Sequence, residues 1–334
     1  MTQYTLTEAP QRQFLLTEFE QRLARAQTMM RALKLDAVLL TTETNVRYFS
    51  GYFTQFWQSP TRPWFLILPL TGKPIAVIPT IGVVGMSNTW VEDIRAWPSP
   101  FPEDDGVSLL SQTLAELPKR FGRLGMTLGR ETHLRMPQQQ VQSLYESSDF
   151  ELVDVSREVL HLRSIKSAAE INRVGHICQV TSNAFAALPK FASIGMTERD
   201  VVAGFRMELL RQGADHSPFI VSSSGMDGYD DIIMGPTDRV IAEGDVLIID
   251  TGTVWQGYFC DFDRNWCFGD CSSQTKAAYE VVYKATDAGF AAAKPGNTTS
   301  DLYRAMWPIM QAGGALGNDV GRLGHGLGSD LTEW

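Results

Sequence analysis

Apolar positions along the chain recur with two different periods. In Thr17–Leu35, the residues Phe19, Leu23, Ala26, Met30 and Leu33 fall on one face at helical spacing. The run Asp36–Thr41 that follows is short and apolar, which predicts a strand. Trp64–Pro69 and Ile75–Pro79 are two more such runs, and Gly72-Lys-Pro between them reads as a hairpin turn. Helical patterning returns over Ser108–Phe121 and over 137–148. Met126-Thr-Leu-Gly lies between these two, and Phe150–Asp154 predicts a further strand. Strands alternating with helices predict an α/β domain that ends near residue 155.

The second half has a different rhythm. Ser167 followed by Glu170 has the spacing of a capping box and opens a helix running towards Ala187. Thr197-Glu-Arg-Asp opens another, to about Gln212. Strands are expected at Phe219–Ser223, Val246–Asp250 and Gly257–Cys267. A long helix over 273–292 ends at Lys294-Pro-Gly, and Thr299–Ala312 forms the next. No repeat of solenoid period is present. The expected division is 1–160 and 161–334.

Composition narrows the function. A chain of 334 residues holds roughly two domains. Apolar residues make up 44% and charged residues 20%, as in globular proteins. The net charge is −9, without Lys/Arg runs, which argues against nucleic acid and anionic lipid as partners. No apolar stretch reaches the roughly 18 residues of a membrane span. The start, MTQYTLTEAPQRQF, lacks a basic flank leading into an apolar run, so the expected compartment is the cytoplasm. The four cysteines (Cys178, Cys260, Cys267 and Cys271) include no C-x-x-C pair. They are expected to be reduced and packed, not to form a zinc cluster.

The most informative stretch is Val246–Arg264. An apolar strand ends in Asp250, a turn bounded by Gly252 and Gly257 follows, and the next strand carries Asp261 and Asp263. In a hairpin Asp250 and Asp261 converge, and Asp263 shares the face of Asp261. Adjacent carboxylates at a strand end repel one another. They are stable with a divalent cation, with a base such as Arg264, or when they share a proton. Farther along, Gly324-His325-Gly326-Leu327-Gly328 places an imidazole where glycines leave room for a ligand. Two carboxylates and a neutral imidazole suit Mn, Fe, Co or Zn. No Gly-rich strand-to-helix loop suggests phosphate binding.

Together these features resemble the metal site of the pita-bread metallohydrolases: methionine aminopeptidase, aminopeptidase P, prolidase and creatinase. The resemblance rests on the eleven-residue step from Asp250 to Asp261, the Gly-Tyr before Asp261, the Asp-x-x-Arg after it, and the later Gly-His-Gly-Leu-Gly. Asn45-Val-Arg-Tyr-Phe-Ser-Gly resembles the first-domain signature of the creatinase/prolidase branch. Arg163-Ser-Ile-Lys-Ser and Lys294-Pro-Gly-Asn-Thr-Thr-Ser-Asp resemble its catalytic-domain signatures. The resemblance implies an α/β N-terminal domain, an α+β pita-bread catalytic domain and a homodimer. It implies a site for two divalent metal ions, with Asp250, Asp261 and His325 as three of the five ligands and Asp261 bridging. It further implies hydrolysis of a C–N bond in a small zwitterionic or proline-containing substrate, such as a dipeptide, by metal-bound hydroxide.

Departures from the family pattern modify these expectations. The two remaining ligands are glutamates well downstream of the His-Gly motif, whereas this sequence stops at Trp334, so the C-terminal strands are expected to be missing. Three ligands hold one metal weakly and do not clamp two. Peptidase histidines are replaced by Thr332, Gly321 and the His-free stretch Tyr229–Pro236. Those histidines stabilise charge at the scissile group, so their loss favours a branch with a changed substrate. A lyase of the dimethylsulfoniopropionate-cleaving type and a non-catalytic binding member are the alternatives. His216 and Asp263 are candidate catalytic residues, and Tyr229, Asp230, Asp231 and Trp57 candidate substrate contacts. Trp57 belongs to an aromatic cluster with Tyr52, Phe53 and Phe56, which also suits core or dimer packing. His133, His161 and His176 read as structural.

Overall fold

A computed structural model describes residues 8–315 and 321–333. The chain divides into two compact units, Gln11–Ala169 and Glu170 onwards.

The first unit runs α1 (Leu16–Leu33), β1 (Ala37–Leu40), α2 (Glu43–Ser50), β2 (Phe65–Pro69), β3 (Ile75–Pro79), α3 (Val83–Ser87), β4 (Asp93–Trp97), α4 (Val107–Ala115), β5 (Arg123–Met126), α5 (Gln138–Ser147), β6 (Glu151–Asp154) and α6 (Ser156–Ser164). Its six strands form one mixed sheet, ordered β4-β3-β2-β1-β5-β6. Alternation along the strands sorts the side chains into two cores. Val38, Leu40, Leu66, Leu68, Ala76 and Ile78 pack with Leu23, Ala26 and Met30 of α1. Ala37, Leu39, Phe65, Ile67, Ile75 and Val77 pack with Leu110 and Leu114 of α4 and Leu144 of α5. Burial on both faces explains why these strands read as unbroken apolar runs.

Asp36, just before β1, is 3% exposed. Its carboxylate accepts the backbone N–H groups of Arg120, Phe121, Gly122 and Arg123. Burial by itself would raise this carboxyl, but the four donors hold it below the usual Asp range. Arg135 gathers the loop after α2 in a similar way, donating to the carbonyls of Phe56, Trp57, Ser59, Thr61 and Arg62.

Four elements, α2, α3, β4 and α6, have no counterpart among the sequence-based expectations. The first-domain signature forms α2, which ends at Gly51 in the left-handed conformation (φ 77°). Asn45 Oδ1 accepts a hydrogen bond from buried Arg163 on α6 (2.8 Å), so two signature motifs 118 residues apart meet. Tyr48 also donates its hydroxyl to the Leu162 carbonyl (3.2 Å). These contacts place α6 in the first unit, and the division falls at Ala169/Glu170, later than residue 160. On β4, Asp93 is exposed and Arg95 pairs with Asp93 and Glu116, so this edge strand lacks an apolar signal.

The second unit is built from α7 (Ala168–Ala187), α8 (Glu198–Gln212), β7 (His216–Met226), β8 (Asp245–Trp255), β9 (Tyr258–Phe259), β10 (Phe262–Cys267), α9 (Ser273–Ala292) and α10 (Thr299–Ala312). Helix α8 starts at the capping box of Thr197 and Asp200 and stops at Gly213 (φ 110°). The antiparallel sheet is ordered β10-β8-β7, with β9 beside β8. Leu247 and Ile249 face one way, into a core with Ile177, Val180 and Ala184 of α7 and Val201, Phe205 and Leu209 of α8. Helices α9 and α10 pack on each other, with Gly289 closing against Met306. The Lys294-Pro-Gly turn and the capping box of Thr298 and Asp301 join them. No described helix is long and apolar enough to cross a membrane.

Two expectations are corrected here. Strand β8 does not end at Asp250. It continues to Trp255, and the tight turn is Gln256-Gly257, both with positive φ (49° and 74°), as a two-residue hairpin requires. Gly252 lies within the strand, where the Phe219 ring and Leu331 occupy the space of a side chain. Nor do all four cysteines stand apart as reduced thiols. Cys267 and Cys271 are joined as a disulfide, because the turn through Gly269 (φ 81°) brings their Cα atoms to 6.1 Å. Cys178 and Cys260 are free, and burial pushes the Cys178 thiol up to about 12.

Asp36→Asn is expected to cost roughly 2–3 kcal/mol at pH 7, since several charge-assisted hydrogen bonds to a buried carboxylate are lost. The folded-state pKa of Asp36 is depressed. Its contribution is therefore complete above the unfolded value of about 4 and disappears as pH falls through the folded value. Denaturant unfolding of both forms should show the difference narrowing below pH 4; a constant difference would count against the role of the Asp36 carboxylate. A double-mutant cycle on Asn45→Ala and Arg163→Ala should give a coupling of about 1–2 kcal/mol, and additivity would deny the contact a stabilising role.

Candidate metal centre

The register of β8 against the hairpin decides what shares a face. Asp263 lies directly opposite Asp250, and Phe262 opposite Thr251. Val254 lies opposite Phe259, and the same register carried through the gap puts Asp261 opposite Gly252. Asp250, Asp261 and Asp263 thus all stand on the sheet face turned away from the Leu247/Ile249 core. Gly252, which has no side chain, sits between the first two on β8.

Asp250 and Asp261 are half-buried neighbours on this face, and each perturbs the ionisation of the other. Burial pushes Asp250 up to about 7, and the charges of Asp261 and Asp263 add to the effect. Burial also raises Asp261, while His325 works in the opposite direction. His325 Nε2 lies 3.1 Å from Asp261 Oδ2. Its Nδ1 is 2.9 Å from the Gly326 carbonyl, which only accepts, so Nδ1 carries a proton and Nε2 faces the acids. Arg264 does not neutralise this group. It turns to the other face of β10, lies over Phe262 and donates to the Asp263 backbone carbonyl (2.6 Å).

Among the described residues, no three His, Cys, Asp or Glu side chains stand ready around one point. Asp261 instead links Asp250 on one side to His325 on the other. The donor chemistry nevertheless fits a divalent cation. Two carboxyls are held in surroundings that disfavour their charge, and an imidazole presents Nε2 to Asp261.

The other candidates are placed as follows. Tyr229 is half-buried, and its hydroxyl donates to Asn265 Oδ1 (2.8 Å). Burial raises the phenol, and Asp263 adds to this. Asn265 is two residues from Asp263 on the same strand face, so Tyr229 leans over the acidic face; sequence reading did not single out Asn265. Asp231 caps its own turn, accepting from the N–H groups of Ile233 (2.8 Å) and Met234 (3.1 Å), and Asp230 is exposed. His216 is exposed at the start of β7, opposite Val254. Trp57 belongs to the first unit, 7% exposed, with its ring beside Trp64 and under Arg135. Phe53 and Phe56 are exposed and stack under Arg47 and Arg62. Thr332 and Gly321 are both exposed.

The comparisons with known proteins follow this division of the chain. The family model described as Creatinase/Prolidase N-terminal domain matches residues 22–165, and that of Metallopeptidase family M24 matches 172–334. The chain is 29% identical over 322 residues to the Uncharacterized peptidase YqhT of Bacillus subtilis, covering 93% of this chain and 83% of that one. Among solved structures, the dipeptidase PepE of Mycobacterium ulcerans superposes with a TM-score of 0.80 at 24% identity, covering 96% of this chain and 84% of that one. An Xaa-Pro dipeptidase from Bacillus anthracis gives 0.80 at 22% identity, covering 95% and 84%. The fold is accordingly a creatinase-type N-terminal domain followed by a pita-bread domain. With both family models matched in order and the acid pair and His325 side by side, the chain belongs to the creatinase/prolidase branch of the M24 metallopeptidases, a family of metallohydrolases.

Proposed function

We propose that this chain is a divalent-metal-dependent hydrolase that cleaves a C–N bond in a small zwitterionic or proline-containing substrate, with Asp250, Asp261 and His325 holding the metal. The carrying observation is the convergence of Asp250 and Asp261 on one sheet face with His325 Nε2 3.1 Å from Asp261 Oδ2. Burial, the neighbouring acid and Asp263 all oppose ionisation of Asp250. A cation removes that opposition, because its charge favours both carboxylates. When bound, such an ion supplies Lewis acidity and lowers the pKa of water. The relatives named as dipeptidases support a peptide-like substrate.

The chain's own residues supply the rest. Asp263 is exposed on the same face, in position to take a proton from the attacking water or return one to the leaving amine. Tyr229, held by Asn265, presents an aromatic ring and a neutral hydroxyl beside that carboxylate. An aromatic face next to acids suits the ammonium end of a zwitterion. Thr332 and Gly321 stand where the family pattern has imidazoles, which favours slow turnover of ordinary Xaa-Pro dipeptides.

Titration calorimetry with Mn²⁺ should show stoichiometric binding by the native sequence and its loss in Asp261→Ala. Stoichiometric Mn²⁺ retained by Asp261→Ala would overturn the ligand assignment. With Mn²⁺ present, incubation with Xaa-Pro dipeptides and small zwitterionic amides should release amine and acid in equal amounts. An unsaturated product would instead indicate a lyase, and binding without turnover a recognition role; either would displace the hydrolase reading.

A further inference from the structure

The loop that carries His325 is closed by a buried acid. Glu333 is 4% exposed. Its Oε1 accepts from the N–H of Ser329 (3.0 Å), the N–H of Asp330 (3.1 Å) and the Ser329 hydroxyl (3.3 Å). The Glu333 N–H donates to the Gly326 carbonyl (2.7 Å), the same oxygen that accepts from His325 Nδ1 (2.9 Å). The next carbonyls tie the loop down further. Gly328 O accepts from the Phe259 N–H (2.8 Å), which anchors the loop to β9, two residues before Asp261. A Cβ on Gly328 would stand 2.6 Å from Glu333 Oε2, so the loop closes on this carboxylate without slack.

We infer that Glu333 is the positioning residue of the metal centre. By folding residues 326–333 into a closed turn, it fixes the Gly326 carbonyl, and that carbonyl sets the tautomer and aim of His325. The inference rests on the proposed role of His325. It gives Glu333 no contact with metal or substrate. A group that orients a ligand histidine through a hydrogen bond to its second nitrogen changes metal affinity about 10- to 100-fold when removed. A side chain that only stabilised the fold would leave the affinity of the folded protein unchanged.

The test compares the native sequence with Glu333→Gln, which keeps an accepting oxygen, Glu333→Ala, and Gly328→Ala, which keeps the carboxylate but crowds it. Two quantities are read on folded protein: the Mn²⁺ dissociation constant by calorimetry, and the ¹⁵N resonances of the His325 imidazole without metal. The expected result is near-native behaviour for Glu333→Gln. For Glu333→Ala and Gly328→Ala, Mn²⁺ binding should weaken about 10- to 100-fold and the Nδ1–H signature should broaden or shift. Should Glu333→Ala fail to fold, Gly328→Ala carries the comparison. Unchanged affinity and unchanged imidazole resonances in the folded variants overturn the inference. If the native sequence binds no Mn²⁺, the metal reading falls. The imidazole resonances then decide the role of Glu333: a change on substitution upholds it, and no change overturns it.

Discussion

The second unit is organised around a charge problem. Antiparallel register puts three carboxyl side chains, Asp250, Asp261 and Asp263, on one face of a two-strand ribbon, and the nearest arginine points to the other face. In water such a group would be solvated. Here Asp250 and Asp261 are half-buried, so each ionisation works against the next, and Asp250 holds its proton up to about pH 7. Burial and the neighbouring acids raise both carboxyls, and His325 Nε2 stands 3.1 Å from Asp261 Oδ2. A divalent cation answers this charge problem.

The rest of the unit serves that placement. One face of β8 is spent on Leu247 and Ile249, which lock the sheet onto α7 and α8, and this leaves the opposite face for polar groups. The Gln256-Gly257 turn fixes the hairpin register, so a slip of one residue would send Asp261 into the core and Phe262 onto the acidic face. Gly252 leaves the gap into which Phe219 and Leu331 pack, which brings the His325 loop down beside the hairpin. In the first unit a comparable economy appears at Asp36 and Arg135. There, a single charged side chain in each case organises a loop by collecting backbone groups.

Much of this was legible in the sequence. Helices α8, α9 and α10 carry their boundaries in caps and breakers: Thr197 with Asp200, Lys294-Pro-Gly, and Thr298 with Asp301. Strands β2 and β3 announce themselves as apolar runs because both sheet faces are covered. The elements that escaped notice are those whose stability is tertiary. Helix α2 depends on Asn45 meeting Arg163 across 118 residues, and β4 is an edge strand whose polar residues pair with α4. At the site, the period of two foretold that the acids share a face. It did not reveal that β8 runs on through Gly252 to Trp255. Asn265 and the positioning role of Glu333 were not legible for another reason. Each acts through one hydrogen-bonded neighbour or a loop backbone, and no spacing rule encodes that.

As proposed, Asp250, Asp261 and His325 form a metal site and not a proton-sharing cluster. Elemental analysis of metal per chain, after equilibration with Mn²⁺ and gel filtration into metal-free buffer, tests it most directly. At least one ion per chain is expected for the native sequence. Metal content near zero, with the protein folded, would contradict the proposed metal site.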